Sequence, residues 1–181
     1  MTVPPYVVGC VVVLVVAYLS DHYKRRVWGL LGAMLLCIAG LTMTLTLPPE
    51  NVHGRYGGLI LLVAGSFVGS PLQIAWLSQN TPEPGQRVVA LGINGWGTVA
   101  GLIGSELFQP KYKPLYREPL SITLGLVSLA FVLFGLNAVI CIFINHKRAK
   151  KVANMSPEEI EEENNNNVRY GDKKYTFVYG W

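Results

Sequence analysis

Five stretches of this sequence carry no charged side chain, and each is long enough to cross a bilayer: residues 1–20, 27–49, 56–82, 88–105 and 119–146. Their lengths of 20, 23, 27, 18 and 28 residues all meet the roughly 18-residue threshold for a membrane-spanning helix. A helix in a water-soluble domain must show a polar face to solvent, so five such gaps in 181 residues exclude a soluble enzyme domain. The charged fraction agrees: 14%, against roughly 25% in soluble domains. The chain therefore reads as an all-α membrane protein of about five transmembrane helices, over residues 3–20, 27–47, 57–79, 88–108 and 120–145. The helical bundle occupies residues 1–146, and a cytosolic C-terminal tail occupies 147–181.

Charge placement orients the spans. The apolar core Val7–Ala17 also has the length of a cleaved leader, but no basic residue precedes it, and Lys24, Arg25 and Arg26 follow it. That order favours a true span whose C-terminal end is cytosolic. Alternation then puts eight basic residues inside (Lys24, Arg25, Arg26, Arg87, Lys147, Arg148, Lys150, Lys151) and four outside (Arg55, Lys111, Lys113, Arg117). Pro48–Asn51 and Asn80–Gly85 punctuate the turns between spans. Gln109–Pro119, with three prolines, predicts an ordered interfacial loop whose Tyr112 and Tyr116 suit the headgroup zone.

Beyond Asn145 the composition changes. His146–Lys151 is a basic run suited to anionic headgroups. Ser156-Pro157-Glu158-Glu159 predicts a helix start with Ser156 as N-cap and Glu159 closing a capping box. Asn164–Asn167 is low in complexity, and Tyr170–Trp181 is aromatic and basic. Composition favours a solvated regulatory or trafficking extension, with docking back onto the protein or the membrane as the alternative.

Catalytic constellations are missing. There is no HExxH, and His22, His53 and His146 are scattered over loops and a span end. Cys10, Cys37 and Cys141 lie apart within apolar runs, as small packing or lipid-facing residues do. No metal, cofactor or nucleic-acid partner is expected, and a membrane-embedded enzyme is the least supported class. Glu106, near the outer end of span four, is either solvated or proton-linked.

The spans do carry small and uncharged polar residues at helical spacing. Ser66, Gly69, Ser70, Gln73, Trp76 and Asn80 share one face of span three, interrupted by Pro71, which removes a backbone hydrogen bond and favours a kink. Asn94, Gly97, Thr98, Gly101, Gly104 and Ser105 form a second stripe in span four. Gly65-xxx-Gly69 and Gly97-xxx-Gly101 also fit helix-packing motifs, and packing is the favoured reading for span four. Span three reads as the polar wall of a site, because amides at Gln73 and Asn80 suit neither lipid nor close packing.

The inner loop after span one, Ala17-Tyr-Leu-Ser-Asp21-His22-Tyr-Lys24-Arg25-Arg26, resembles the G-x-x-x-D-R-x-x-R-R loop of the major facilitator superfamily. Ala17 stands in place of its Gly, and His22 in place of its Arg. Ala75-Trp76-Leu-Ser-Gln-Asn80, Arg87, the Gly-rich span four, the Pro-x-Tyr outer loop and the closing Lys-Tyr-Thr-Phe resemble the fungal anion:cation symporter branch typified by allantoate permease. Thr98 departs from that pattern, standing where many relatives have Asn.

The resemblance implies that the five spans are helices eight to twelve of a twelve-helix transporter. The implied activity is alternating-access, proton-coupled carriage of small organic anions such as allantoate, nicotinate, pantothenate or biotin. It assigns Asp21, Lys24, Arg25 and Arg26 to an inner gate, with Asp21 pairing against a helix N-terminus of the other half. Gln73, Trp76 and Asn80, then Asn94 and Thr98, become the candidate substrate contacts, the amides hydrogen-bonding a carboxylate and Trp76 offering a flat apolar face. The spans hold no Arg or Lys, so the countercharge for an anion is expected from the missing N-terminal helical half or from helix N-termini. The chain is accordingly expected to be a truncated piece, inactive alone, in the plasma membrane. The rival is a small multi-span scaffold or regulatory protein that binds a partner through its glycine faces and tail.

Overall fold

The computed structural model describes residues 3–23, 25–165 and 171–180, and among these the regular structure is helical, without strands. The order is α1 (Val3–Tyr23), α2 (Arg26–Thr46), α3 (Val52–Asn80), α4 (Pro84–Gly95), a 3-10 turn (Trp96–Thr98), α5 (Val99–Leu107), α6 (Arg117–Val152) and α7 (Pro157–Asn165). Five segments are long and apolar enough to cross a membrane, with α4, the turn and α5 together making the fourth. The chain is a multi-span integral membrane protein.

Local chemistry sets the helix ends. Leu47 is extended because Pro48 follows it, and that residue stops α2. Asn51 caps α3 by accepting from the Gly54 amide at 3.0 Å. The C-terminal end of α3 is closed from the next helix: the Arg87 guanidinium donates to the carbonyls of Thr81 at 2.9 Å and Pro82 at 3.3 Å. Pro84 opens α4 at a position where its missing amide costs nothing. Ahead of α7 the capping box forms in both directions, Ser156 N to Glu159 Oε2 at 2.8 Å and Glu159 N to Ser156 Oγ at 3.2 Å.

The core is the trio α1–α2–α3, with α6 packed on α2. Leu30, Ala33, Val68 and Leu72 are buried together, flanked by Val12, Val13 and Val16 of α1. Hydrocarbon gives no hydrophobic drive between helices, so association rests on close backbone approach. The α2–α3 seam supplies it. A Cβ at Gly40 would lie 2.5 Å from the Gly58 carbonyl oxygen, and one at Gly65 would lie 2.5 Å from that of Ala33. Thr44 is buried on the same line, its hydroxyl returned to the Gly40 carbonyl at 2.8 Å.

Two sequence expectations about packing glycines change accordingly. Gly65 does pack, but its motif partner Gly69 does not: a Cβ there would meet nothing within 4 Å. The same holds for Gly97 and Gly101, so the packing favoured for span four has no counterpart among the described residues. No residue of α4 or α5 is buried.

α6 is the longest element. Its 36 residues extend about 54 Å, against a hydrocarbon core of about 30 Å. It starts inside the predicted outer loop and runs as unbroken helix through the expected boundary at 146 to Val152. Lys147–Lys151 therefore sit on a rigid helical extension. In the loop between α5 and α6, Pro110–Tyr112 form a single 3-10 turn, and Tyr116 adopts the left-handed conformation (φ 49°) that reverses the chain into α6.

Candidate functional site

Gln73 and Asn94, assigned to separate stripes, meet. The Gln73 side-chain amide donates to Asn94 Oδ1 at 2.9 Å, half-buried between α3 and α4. An amide pair of this kind satisfies one donor and one acceptor and leaves the remaining polar atoms of both residues to turn toward a ligand. α3 continues as helix through Pro71 immediately before this pair.

Trp76 is differently placed from the open apolar face expected of it. Only 9% exposed, it packs with Val27, Ala138 and Cys141, and its ring lies 5.9 Å from that of Phe134. One edge still lines a groove of about 310 Å³ between α3 and α6, shared with Gln73, Leu77, Leu133, Phe134 and Asn137. Its indole N–H donates to the Gly180 carbonyl at 2.8 Å, and the same oxygen accepts from Asn80 Nδ2 at 3.2 Å. Trp76 and Asn80 are thus brought together by the tail.

Thr98 stays apart from the group. It is exposed, and its hydroxyl is spent on the Gly95 carbonyl at 2.9 Å in the 3-10 turn. Glu106 is also exposed, accepting from Gln109 Nε2 at 2.8 Å. Ser66 bonds back to the Leu62 carbonyl at 2.8 Å and faces Cys37 across the α2–α3 seam.

At the α1–α2 turn, Asp21 Oδ1 accepts from Arg26 Nε at 3.1 Å and Nη2 at 2.9 Å. The third guanidinium nitrogen donates to the Ala75 carbonyl on α3 at 2.9 Å. Arg26 therefore ties the α1–α2 turn to the residue next to Trp76, with the planar fork that a lysine lacks. Arg25 is exposed, and Lys24 lies outside the described residues. His22 stacks beside Tyr18 and meets Tyr23 edge-on, taking no part in the ion pair.

The residues missed by sequence reasoning belong to α6 and the tail. Asn145 exchanges two hydrogen bonds with Tyr179, donating to its carbonyl at 2.8 Å and accepting from its amide at 2.9 Å. Arg148 donates to the carbonyls of Phe177 at 3.1 Å and Asp172 at 2.9 Å. The available signal was Asn137, Cys141, Asn145 and Arg148 at helical spacing in an otherwise oily run. Of the two readings of the tail, docking is the one the structure adopts for Gly171–Gly180. Burial pushes the Tyr179 phenol above the usual tyrosine range; the hydrogen bond and charge of Asp172 add to this, and Arg148 opposes it.

Fold and side chains together define a class: a multi-span helical membrane protein with a pair of amides facing each other between two of its helices. Sequence comparison narrows it. The chain is homologous to fungal transporters of the major facilitator type. It is 35% identical over 184 residues to the high-affinity nicotinic acid transporter of Saccharomyces cerevisiae, covering 99% of this chain and 33% of that protein. It is 37% identical over 134 residues to a major-facilitator-type transporter of Hormonema carpetanum, covering 73% and 27%. An uncharacterised transporter of Schizosaccharomyces pombe is 31% identical over 150 residues, covering 82% and 30%. The chain spans about a third of the length of these curated relatives, whose named function is transport rather than catalysis. No family model matches it, and no solved structure matches it significantly.

Proposed function

We propose that the chain is the C-terminal part of a proton-coupled secondary transporter of the anion:cation symporter branch, carrying a small organic anion. Two half-buried amides facing one another across α3 and α4 are the observation that carries this reading: Gln73 and Asn94 at 2.9 Å. Buried amides in a bilayer are costly unless partnered, and a pair with hydrogen-bonding capacity to spare suits an oxygen-rich solute. Nicotinate is the first substrate to test, because one relative is named for nicotinic acid. Trp76 then contributes an edge rather than a face, and Thr98 leaves the contact set.

In this reading Asp21, Lys24, Arg25 and Arg26 form the inner gate, and the Arg26–Ala75 bond couples gate to wall. The protein resides in the plasma membrane with the C-terminus cytosolic. The N-terminal helical half supplies the countercharge, and the unpartnered face of α4–α5 is where that half would pack.

The test is uptake of radiolabelled nicotinate, with and without a proton gradient, by cells expressing the complete reading frame. Gln73→Ala and Asn94→Ala are expected to reduce uptake about tenfold each, corresponding to about 1.4 kcal/mol, at unchanged surface expression. The 181-residue chain alone is expected to transport nothing. Undiminished uptake in both variants removes the wall from the site.

A further inference from the structure

Residues 177–180, outside any helix, are held between α3 and α6 on both sides. Asn145 of α6 donates to the carbonyl and accepts from the amide of Tyr179, at 2.8 and 2.9 Å. Asn80 of α3 treats Gly180 the same way, its side chain accepting from the amide at 2.7 Å and donating to the carbonyl at 3.2 Å. Tyr179 thus turns its main-chain groups to α6 and Gly180 to α3, the alternation by which an extended chain is read from two sides. Each asparagine thus plays the part of a neighbouring strand. Trp76 Nε1 and Arg148 add donors to the carbonyls of Gly180 and Phe177.

Side chains add a second layer. The Arg148 guanidinium lies 4.9 Å from the Tyr179 ring, and the Lys151 ammonium 3.7 Å from the Tyr175 ring. Phe177 meets Tyr179 edge-on at 5.2 Å. Lys174, Tyr175 and Thr176 hold to Glu163 and Asn164 at the end of α7. Beside the direct packing of Trp76 on Ala138 and Cys141, the tail thus adds a hydrogen-bonded tie between α3 and α6.

We propose that Trp76, Asn80, Asn145 and Arg148 form a binding site for extended peptide main chain, with this chain's own residues 177–180 as the ligand. The occupied site closes the inner end of the groove beside Gln73 and Trp76, and release of the tail opens it. That release admits substrate to Trp76 and Asn80 rests on the carrier reading above; the site and its ligand do not.

The experiment uses the chain in lipid vesicles, with Leu77→Cys placed in the groove and labelled by a membrane-impermeant maleimide from the tail side, above the background of the parent chain. Replacing Phe177–Gly180 by Ser-Gly-Ser-Gly leaves the receptor intact and is expected to speed labelling about fivefold, the effect of losing about 1 kcal/mol of docking. Adding the free peptide Lys-Tyr-Thr-Phe-Val-Tyr-Gly is expected to restore the slow rate, whereas a scrambled peptide is not. Asn145→Ala is expected to speed labelling equally and to resist rescue by the peptide. Equal labelling in all variants, or no rescue of the tail replacement by the peptide, overturns the proposal. Labelling needs no transport, so its failure is distinct from a failure of the Gln73 uptake test.

Discussion

The α2–α3 seam and the α4–α5 segment are both oily, both rich in glycine, and treated in opposite ways by the fold. In the seam the glycines are filled: Gly40, Gly58 and Gly65 admit backbone from the facing helix, and Leu41 is fully buried beside them. In α4–α5 nothing approaches Gly92, Gly97, Gly101 or Gly104, and Trp96 is 78% exposed. Composition does not separate these regions; a complementary surface does. In lipid a helix gains from a neighbour only where side chains and backbone interlock, so a small-residue stripe acts as an interface only when its matching ridge is present.

The sharpest way to break the comparison is to fill the notches. Gly40→Leu drives a side chain into the Gly58 carbonyl and the Leu62 backbone, and is expected to lower unfolding stability by about 3 kcal/mol. Gly97→Leu in the same chain is expected to change it by less than about 0.5 kcal/mol. Detergent-titrated unfolding followed by circular dichroism measures both, and equal losses would abolish the distinction. Repeating Gly97→Leu in a longer reading frame sharpens the point, because a large loss only there identifies α4–α5 as the face on which the proposed N-terminal half packs.

A smaller effect is expected at the exposed turn between α1 and α2. Arg26→Ala removes the bonds to Asp21 and to the Ala75 carbonyl. Asp21 is two-thirds exposed, so most of the expected loss of about 1 kcal/mol comes from the carbonyl left without its donor. Arg26→Lys should recover less than half of it, since an ammonium cannot span both acceptors. The same unfolding assay decides, and full recovery by lysine would reduce the interaction to simple charge.

The smallest effect is a titration. Docking raises the Tyr179 phenol, so the folded state holds this proton more tightly than the unfolded chain. The contribution is complete below the ordinary tyrosine value of about 10 and is lost as pH rises through the higher folded value. Difference absorbance between wild type and Tyr179→Phe is expected to show a tyrosinate midpoint above 10. A midpoint at or below 10 would mean that the ring is not held against Asp172.

Much of this was legible in the sequence because it depends on near neighbours. The spans follow from the absence of charge, the turns from proline and glycine, and the start of α7 from the four residues Ser156–Glu159. The amides of the candidate site were visible too: Gln73, Asn80 and Asn94 stand out because hydrocarbon does not tolerate idle polar groups. What the spacing did not reveal was pairing. Gly65 was picked out together with Gly69, when its actual partners are the Ala33 carbonyl and Cys37 on another helix.

By itself, then, the sequence determined that the chain crosses a membrane repeatedly as helices and which side chains cannot rest against lipid. Each of those properties is set within one turn or one span by solvation and backbone hydrogen bonding. Only the tertiary structure decided which stripe is a seam and which is bare, that Trp76 is packed rather than open, and that Asn80 and Asn145 clasp the tail. These depend on residues up to about a hundred positions apart meeting within hydrogen-bond distance, as Trp76 and Gly180 do, and no local pattern encodes that encounter.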